Sequence, residues 1–218
     1  TAQAARQLQA ISGGRFELGV GAGWLQAEME AVGVPWPTPG QRVDALIEAL
    51  HILRPLLAGD GCRFDGTHYQ VDVGPVGPTT ASPPPLMAAV GGPRTTREVT
   101  PLLDRVEIKP AGRATRNGAL DWDVMATVST AEVHELVRSV RSARPDITVD
   151  LFVLFNAADD SATRDRAAAL GDGFQAAFFG SPAGVATAVR SLSELGVCRV
   201  QLSAIDPSSF DRLAPLLF

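Results

Sequence analysis

Length, composition and charge exclude several classes of protein. The 218 residues are enough for one large domain with a sizeable core, and 45% of them are hydrophobic. Mean hydropathy is +0.10, and no run approaches the roughly 18 apolar residues of a membrane span, so a soluble globular protein without a membrane partner is expected. The net charge of -5 argues against a nucleic-acid partner. Cys62 and Cys198 have no metal-site or disulfide spacing, which predicts a reducing cytoplasm.

The start of the chain predicts an incomplete protein. Thr1 stands where an initiator methionine is expected, and the first methionine is Met29. A helical pattern is already under way at the first residues, with apolar side chains at Ala4, Ala5, Leu8 and Ile11. We therefore expect the chain to open partway along a helix.

A glycine-rich turn follows the first predicted strand, Arg15–Val20. Gly19, Gly21 and Gly23 carry no Cβ, so the backbone can pass close to a bound group or to a neighbouring strand. The carboxyl end of a strand is where α/β proteins place their ligands. Tight packing between the strand and the helix that begins near Leu25 would explain the same glycines, and both interpretations stay open.

Strands and helices are predicted to alternate along the rest of the chain. A second glycine turn, Gly91-Gly92-Pro93-Arg94, follows a buried strand, and Pro93 suits a first helical position. Phe174–Phe179 fits either a strand or a buried turn. The other predicted elements are a short helix (Leu25–Ala31), an amphipathic helix with Val43, Leu46, Ile47, Leu50, Leu53, Leu56 and Leu57 on one face and its end at Gly59, a β-hairpin (62–73) around a two-residue turn at Asp65-Gly66, strands at Pro85–Val90 and Asp104–Lys109, a polar loop (Arg113–Asp121), a helix (Ala131–Arg144) capped by Thr130, a strand (Thr148–Phe155), a helix (Asp159–Leu170), a helix from Ser181-Pro182 to Leu195, a strand (Val197–Leu202) and a last helix (Phe210–Leu217).

Buried strands separated by helices predict a parallel sheet covered by helices. Two architectures remain open on this pattern: an open doubly wound sheet, or part of a (β/α)₈ barrel. In either one, the carboxyl ends of the strands carry the site.

Other motifs give little support for a different chemistry. The spacing of Gly19, Gly21 and Gly23 is not the dinucleotide fingerprint, because the third glycine comes too early. No Ser-His-Asp or Cys-His arrangement can be argued. The remaining polar candidates are interpreted as surface, packing or solvated residues: His51, His68, His134, Asp121 and Asp123.

Several blocks of sequence resemble the luciferase-like (β/α)₈ oxidoreductases, a superfamily of FMN-dependent monooxygenases and enzymes that use the deazaflavin coenzyme F420. The matching residues are Ser12-Gly13-Gly14-Arg15, Leu18-Gly19-Val20-Gly21-Ala22-Gly23-Trp24, Glu28, Gly33 and Arg42, followed in the family's order by the hairpin Phe64–Tyr69, the strand Pro84–Gly92 and Gly180-Ser181-Pro182. The resemblance implies an α/β fold of the TIM-barrel type, truncated to strands four to eight, with residues 1–218 as a single partial domain and 62–73 as an inserted hairpin.

The resemblance also implies where a cofactor lies. Gly21, Ala22, Gly23 and Trp24 are expected beside the cofactor ring, unless Trp24 is an ordinary core aromatic. Gly91 and Gly92 are expected at the cofactor phosphate, with Pro93 and Arg94 at the start of the helix behind them. Free backbone N–H groups and a helix N-terminus form an anion site, which Arg94 could strengthen, although a plain strand-to-helix turn would look the same. No catalytic residue is named, because the family keeps many polar and proton-transferring residues in the N-terminal βα units that are missing here.

These features predict an oxidoreductase that moves a hydride between coenzyme F420 and a small organic substrate. The alternatives are an FMN-dependent monooxygenase and a non-catalytic truncated barrel that acts as a binding module. A barrel without its first strands would leave Arg15–Val20 and Val197–Leu202 as open edges, which predicts a homo-oligomer.

Overall fold

The computed structural model describes residues 1–114 and 119–218. These residues form two compact units, Thr1–Val106 and Glu107–Phe218. The chain passes from the first unit to the second within one strand, Arg105–Ile108. A single domain over residues 1–218 stays a prediction.

The first unit holds a parallel strand pair that carries the predicted glycine turns. Its helices and strands are α1 (Ala2–Ile11), β1 (Leu18–Val20), α2 (Gln26–Ala31), α3 (Pro39–Ala58), β2 (Cys62–Asp65), β3 (Gln70–Val73), β4 (Leu86–Val90), α4 (Pro93–Glu98) and the start of β5 (Arg105–Ile108), with a 3₁₀ turn at Thr100–Leu102. β1 pairs in parallel with β4, and β4 lies between β1 and β5. Every second side chain of β4 is buried, which makes this strand the centre of the unit's core: Leu86, Ala88 and Val90.

β1 begins at Leu18, later than the predicted Arg15. The residues before it are held in a turn instead, because their backbone donors bind side chains of the preceding helix end. The Arg15 N–H donates to Ser12 Oγ (3.1 Å), and the Phe16 N–H donates to Gln9 Oε1 (3.0 Å). Donors used in this way cannot join a sheet ladder.

α3 is the predicted amphipathic helix, with its start four residues earlier than the first predicted apolar position, Val43. Thr38 and Gln41 form a reciprocal capping box, and Pro39 occupies the first turn, where no N–H is needed. Gly59 ends the helix at φ 100°, in the left-handed region that favours glycine. Five of the seven residues predicted on the apolar face are buried (Leu46, Leu50, Leu53, Leu56 and Leu57), whereas Val43 and Ile47 are half-buried and Ile52, which was not predicted, is buried as well.

α1 is a helix as predicted, and of the four apolar residues that indicated it only Ala5 is buried. Leu8 is 46% exposed and Ile11 is 83% exposed, whereas the polar residues Arg6 and Gln9 are buried. Arg6 decides the orientation, because its guanidinium donates to the carbonyl oxygens of Leu57 and Pro78, both at 2.6 Å. These two hydrogen bonds turn the polar side of α1 inward.

The β-hairpin forms at the predicted place, with a longer turn than predicted. β2 and β3 are antiparallel from the pair Cys62–Val73 to the pair Asp65–Gln70. Four residues, Gly66–Tyr69, therefore connect the strands, where two had been expected at Asp65-Gly66. The reason lies in α3: the carboxylate of Glu48 accepts the N–H groups of Thr67, His68 and Tyr69 at 2.9, 2.8 and 3.0 Å. A carboxylate that satisfies three loop donors stabilises the wider turn.

The second unit is built around one long buried strand. After β5, its helices and strands are α5 (Trp122–Ala126), α6 (Thr130–Ala143), β6 (Thr148–Ala157), α7 (Ser161–Leu170), β7 (Phe179–Gly180), α8 (Pro182–Ser191), β8 (Arg199–Ala204) and α9 (Ser209–Leu217), with 3₁₀ turns at Phe174–Phe178 and Leu192–Leu195. β6 pairs in parallel with both β7 and β8. One face of β6 is fully buried: Val149, Leu151, Val153, Phe155 and Ala157.

Two helix starts in the second unit differ from the predictions in an informative way, and one open alternative is resolved. Asp121 and Asp123 are exposed, as predicted, but the loop assignment is wrong: Asp121 caps the short helix α5 and accepts the Val124 N–H at 3.0 Å, and Asp123 lies in the first turn of that helix. The rest of that predicted loop includes residues 115–118, which lie outside the described residues. The cap of α6 is Ser129, not Thr130, because Glu132 completes a capping box with it. The segment Phe174–Phe179, left open above, is a 3₁₀ turn over Phe174–Phe178 that leads directly into β7 at Phe179.

Candidate functional site

The two predicted glycine turns leave the same edge of the first unit's sheet. In the parallel pair of β1 and β4, Val20 lies opposite Ala88, two residues before the end of β4. The carboxyl ends of both strands therefore point the same way and finish close together. The turn Gly21–Trp24 follows one of them, and the turn Gly91–Arg94 follows the other.

The first turn places an exposed indole at this edge. Trp24 is 54% exposed, so it is not the core aromatic that one interpretation of the sequence allowed. Gly23 has φ 78°, and a Cβ built on it would lie 3.8 Å from the ring of Trp36. Trp36 in turn is covered by the guanidinium of Arg42, 4.0 Å from the ring centroid, and Arg42 donates to the Pro37 carbonyl at 2.7 Å. A second aromatic residue thus supports the glycine turn from behind.

The second turn is closed by a hydroxyl group that the sequence analysis missed. The N–H groups of Gly91 and Gly92 point to Thr95 Oγ1 at 3.4 and 3.2 Å, and that hydroxyl donates to the Gly92 carbonyl at 3.0 Å. Pro93 is the first residue of α4, as predicted. The two glycine donors that were expected to be free thus have a protein acceptor, three residues along the chain. A threonine three residues after a turn residue was the signal that could have revealed it.

The side chain of Arg94, at the start of α4, makes three hydrogen bonds to other described residues. Its Nη2 donates to Asp44 of α3, its Nε donates to Glu98 at 2.9 Å, and its Nη1 donates to the Gly40 carbonyl at 3.3 Å. The hydrogen bond that Arg94 donates to Asp44, followed by the one that it donates to Glu98, raises the pKa of Arg94, while hydrogen bonds from Arg97 and then from Arg94 lower the pKa of Glu98. The guanidinium therefore ties α4 to α3. No local sequence signal could have paired Arg94 with Asp44, because fifty positions separate them.

Open space lies over both turns. A Cβ built on Gly21 or on Gly92 would meet no atom within 4 Å, and neither residue has a positive φ. Gly21, Gly23, Trp24, Gly91 and Pro93 are exposed, and Ala22, Gly92 and Arg94 are half-buried. Backbone that is exposed, glycine-rich and uncrowded can approach a planar or phosphorylated ligand closely. The eight predicted site residues therefore lie along one edge of the sheet, and the backbone there is open to a ligand.

The described residues outside this edge bear on packing, metal binding and membrane crossing. The ring of His51 stacks on Phe64 of the hairpin with 6.4 Å between centroids, which agrees with a packing role. Over residues 1–114 and 119–218, no group of three or more His, Cys, Asp or Glu side chains is arranged to hold a metal ion. Within the same residues, none of the helices combines the length and the apolar character needed to cross a bilayer.

Comparisons with known proteins agree with this architecture. The chain is similar to a solved F420-dependent secondary alcohol dehydrogenase, bound to an F420-acetone adduct, with a TM-score of 0.69, 16% identity, and coverage of 100% of this chain and 74% of that one. It is similar to a monooxygenase from Streptomyces bottropensis with a TM-score of 0.68, 19% identity, and coverage of 99% and 70%. At these identities the likeness concerns the fold alone, and it confirms the predicted α/β fold of the (β/α)₈ barrel type.

Two curated relatives show similarity in sequence. An F420-dependent glucose-6-phosphate dehydrogenase from Beutenbergia cavernae is 35% identical over 96 residues, which is 44% of this chain and 28% of that protein. An F420-dependent hydroxymycolic acid dehydrogenase from Mycobacterium tuberculosis is 34% identical over 93 residues, 43% of this chain and 26% of that protein. The matched segments thus span little more than a quarter of either relative.

A protein-family model matches the first half of the chain. The luciferase-like monooxygenase family matches residues 1–110, half of the chain, and that segment contains both glycine turns. The predicted resemblance is therefore confirmed, and the chain belongs to the luciferase-like monooxygenase family.

Proposed function

We propose that this protein is an oxidoreductase that transfers a hydride between coenzyme F420 and a small organic substrate. The observation that carries the proposal is the similarity, at 32–35% identity over about 44% of the chain, to several F420-dependent glucose-6-phosphate dehydrogenases. The fold and the uncrowded glycine edge support it. The predicted cytoplasmic location and the predicted homo-oligomer accompany the proposal as expectations.

The glycine edge would bind the cofactor. Gly21, Ala22, Gly23 and Trp24 would lie beside the deazaflavin ring, with the exposed indole of Trp24 as the largest contact surface. The turn Gly91–Arg94 would hold the phosphate through the glycine N–H groups and the Thr95 hydroxyl, the same groups that now bond one another. Coenzyme F420 supplies the hydride chemistry, and the protein contributes orientation and exclusion of water.

FMN is the second candidate cofactor. Its support is the match to the luciferase-like monooxygenase family, whose wider superfamily includes FMN-dependent monooxygenases, together with the similarity in fold to the Streptomyces monooxygenase. Both cofactors carry a phosphate, so the Gly91-Gly92 turn does not choose between them. F420 is preferred because the relatives with sequence similarity that have a named activity, such as those from Beutenbergia cavernae and Mycobacterium tuberculosis, carry it in their names.

Two alanine substitutions test the proposed cofactor edge. Gly21→Ala and Gly92→Ala each add a methyl group to space that is open in the protein, at backbone conformations that alanine tolerates. Folding should be unchanged or slightly more stable. If the cofactor occupies that space, its affinity should fall by about 1–3 kcal/mol, the usual cost of overpacking.

Fluorescence titration with F420 and with FMN measures the affinity of each variant for the two cofactors. Gly74→Ala is the matched control, because its Cβ also meets nothing within 4 Å but lies at the end of the hairpin, away from both turns. Binding of FMN without binding of F420 would replace the preferred cofactor. Unchanged affinity in both variants would return the turns to strand-to-helix packing, and absence of binding by either cofactor would favour the non-catalytic module.

A further inference from the structure

A cavity of about 90 Å³ lies within the second unit, and apolar side chains form most of its wall. Phe152 and Leu154 come from β6, Met125 comes from α5, and Val128 and Phe174 close the wall. An ordered water molecule needs two to four polar partners, and a mostly apolar wall offers few of them. The cavity therefore favours a hydrocarbon group.

The ammonium group of Lys109 provides a positive charge at the wall of this cavity. Lys109 follows β5, lines the cavity, and has a side chain that is 47% exposed. It is the one lysine in the sequence. Among the described lining residues it is the one with a formal charge, because the polar lining residue Gln175 is neutral and donates its amide to the Leu154 carbonyl.

The counterion that the described structure gives Lys109 is weakly engaged. Glu107 Oε1 lies 3.9 Å from Lys109 Nζ, at the outer limit of an ion pair. Glu107 is only 8% exposed, and its burial raises its pKa above the ordinary value, with Asp150 adding to the rise and Lys109 and Arg199 opposing it. A contact of this length uses little of the hydrogen-bonding capacity of the ammonium group, so Lys109 retains donors for an anion.

We propose that this cavity binds a small aliphatic carboxylate, with its hydrocarbon chain among the apolar side chains and its carboxylate on Lys109. The volume is several times the roughly 10–15 Å³ that a cavity needs to hold one water, so it has room for a chain of a few methylene groups. The net charge of -5 repels anions generally, so recognition of a carboxylate has to come from a local cation. All residues of the argument belong to the second unit, and the site does not depend on the proposed cofactor.

Methionine methyl signals report binding at this cavity directly. The chain has three methionines, and of these only Met125 lines the cavity, so Met29 and Met87 serve as internal controls after ¹³C-methyl labelling. Titration of the whole chain with hexanoate should shift the Met125 signal with saturation at millimolar concentrations. The affinity should rise about fourfold for each methylene between butanoate and hexanoate, as expected for burial of a CH₂ group.

The charge requirement is tested by ligand and by variant. We expect 1-hexanol to bind at least tenfold more weakly than hexanoate. Lys109→Gln should reduce hexanoate binding by a similar factor, and Arg138→Gln, which removes an exposed cation of α6 away from the cavity, should not change it. The proposal is wrong if Met125 shows no saturable shift, if all three methionines shift alike, if hexanol binds as well as hexanoate, or if Lys109→Gln keeps full affinity.

Discussion

Arg6 is a buried arginine in the first unit, and among the described residues its charge is compensated without a carboxylate. It is 5% exposed, and its guanidinium is bound by two backbone carbonyl oxygens, one of them from Leu57 in the last turn of α3. The carbonyl end of a helix carries partial negative charge, which compensates a buried cation in place of a carboxylate. Two glycines make room for it: a Cβ on Gly59 or on Gly77 would approach Arg6 atoms to 3.0 Å.

Arg6→Ala should therefore destabilise the protein by about 2–4 kcal/mol. The substitution leaves a cavity and two carbonyl acceptors without their donor, and both effects are costly in a buried place. Urea denaturation measures the change in the free energy of unfolding. Arg138→Ala, at a side chain that is 74% exposed, is the control and should change it by less than about 0.5 kcal/mol. A loss of similar size in both variants would mean that the buried contacts of Arg6 contribute nothing special.

Arg94 is predicted to support cofactor binding, and the structure suggests that it does so by holding α4 against α3. Arg94→Ala should weaken cofactor binding in either case, so a second variant is needed. Asp44→Asn removes the partner on α3 and keeps the charge of Arg94. If Arg94 positions α4, both variants should weaken binding alike, as measured by fluorescence titration. If Arg94 contacts the phosphate, Asp44→Asn should leave binding equal or improve it, because the guanidinium is released.

At the scale of elements, the hairpin is held by one carboxylate of α3. Burial acts to raise the pKa of Glu48, but hydrogen bonds from the backbone of His68, Thr67 and Tyr69 outweigh it and hold that pKa below its ordinary value of 4.5. A lowered pKa in the folded state means that the contribution of the carboxylate is fully present above pH 4.5. It is lost as the pH falls from there through the lowered pKa.

We expect the loop amides to report this loss. Amide hydrogen exchange at Thr67, His68 and Tyr69 should show protection above pH 4.5 that declines at lower pH, after correction for intrinsic rates. Glu48→Gln should remove much of that protection at neutral pH, since a neutral amide is a weaker acceptor for three donors. Asp72→Asn is the control, because it removes a hairpin carboxylate that is 78% exposed and pairs with Arg63 on the neighbouring strand. Protection that is independent of pH and of Glu48 would contradict this account.

The elements that sequence predicts well are those with local signals. α3 has a cap, an N-terminal proline, an apolar face and a terminal glycine, and the start of α8 has Ser181 before Pro182. The errors occur where a distant partner decides. Glu48 fixes the hairpin turn from nearly twenty residues away, and Arg6 turns α1 through contacts with residues more than fifty positions along the chain. Periodicity within one element carries no information about such partners.

The candidate site also combines features that local sequence predicts with features that depend on distant residues. Both glycine turns could be located from residue type and spacing, and their shared edge follows from the parallel order of the strands. The contact between Asp44 and Arg94 could not be foreseen, because fifty positions separate the two residues, whereas the contacts of Thr95 were missed although its place three residues after Gly92 was a signal. Both decide which donors and charges are available at this edge. The cavity beside Lys109 was also missed, because its wall combines several elements that lie between residues 109 and 175.

At the scale of the whole molecule, two strands present an open side. β1 is the last strand on its side of the sheet and pairs with β4, and β8 pairs with β6. Within residues 1–114 and 119–218, no further strand is paired with the other side of either one. An unpaired edge offers N–H and C=O groups to a strand of another chain. β8 is the stronger candidate, because it has six residues and β1 has three.

We therefore expect the purified chain to self-associate through an edge strand, and light scattering coupled to size exclusion measures its mass. A lysine placed on an edge opposes strand pairing, because a second chain would have to bury its charge. Gln201→Lys in β8 and Gly19→Lys in β1 both add lysine at exposed positions, so they separate the two edges. If β8 forms the contact, Gln201→Lys should lower the mass toward that of a monomer, and Gly19→Lys should leave it unchanged. A monodisperse monomer of the unsubstituted chain at high concentration, with one cooperative thermal transition, would show that neither edge recruits a partner.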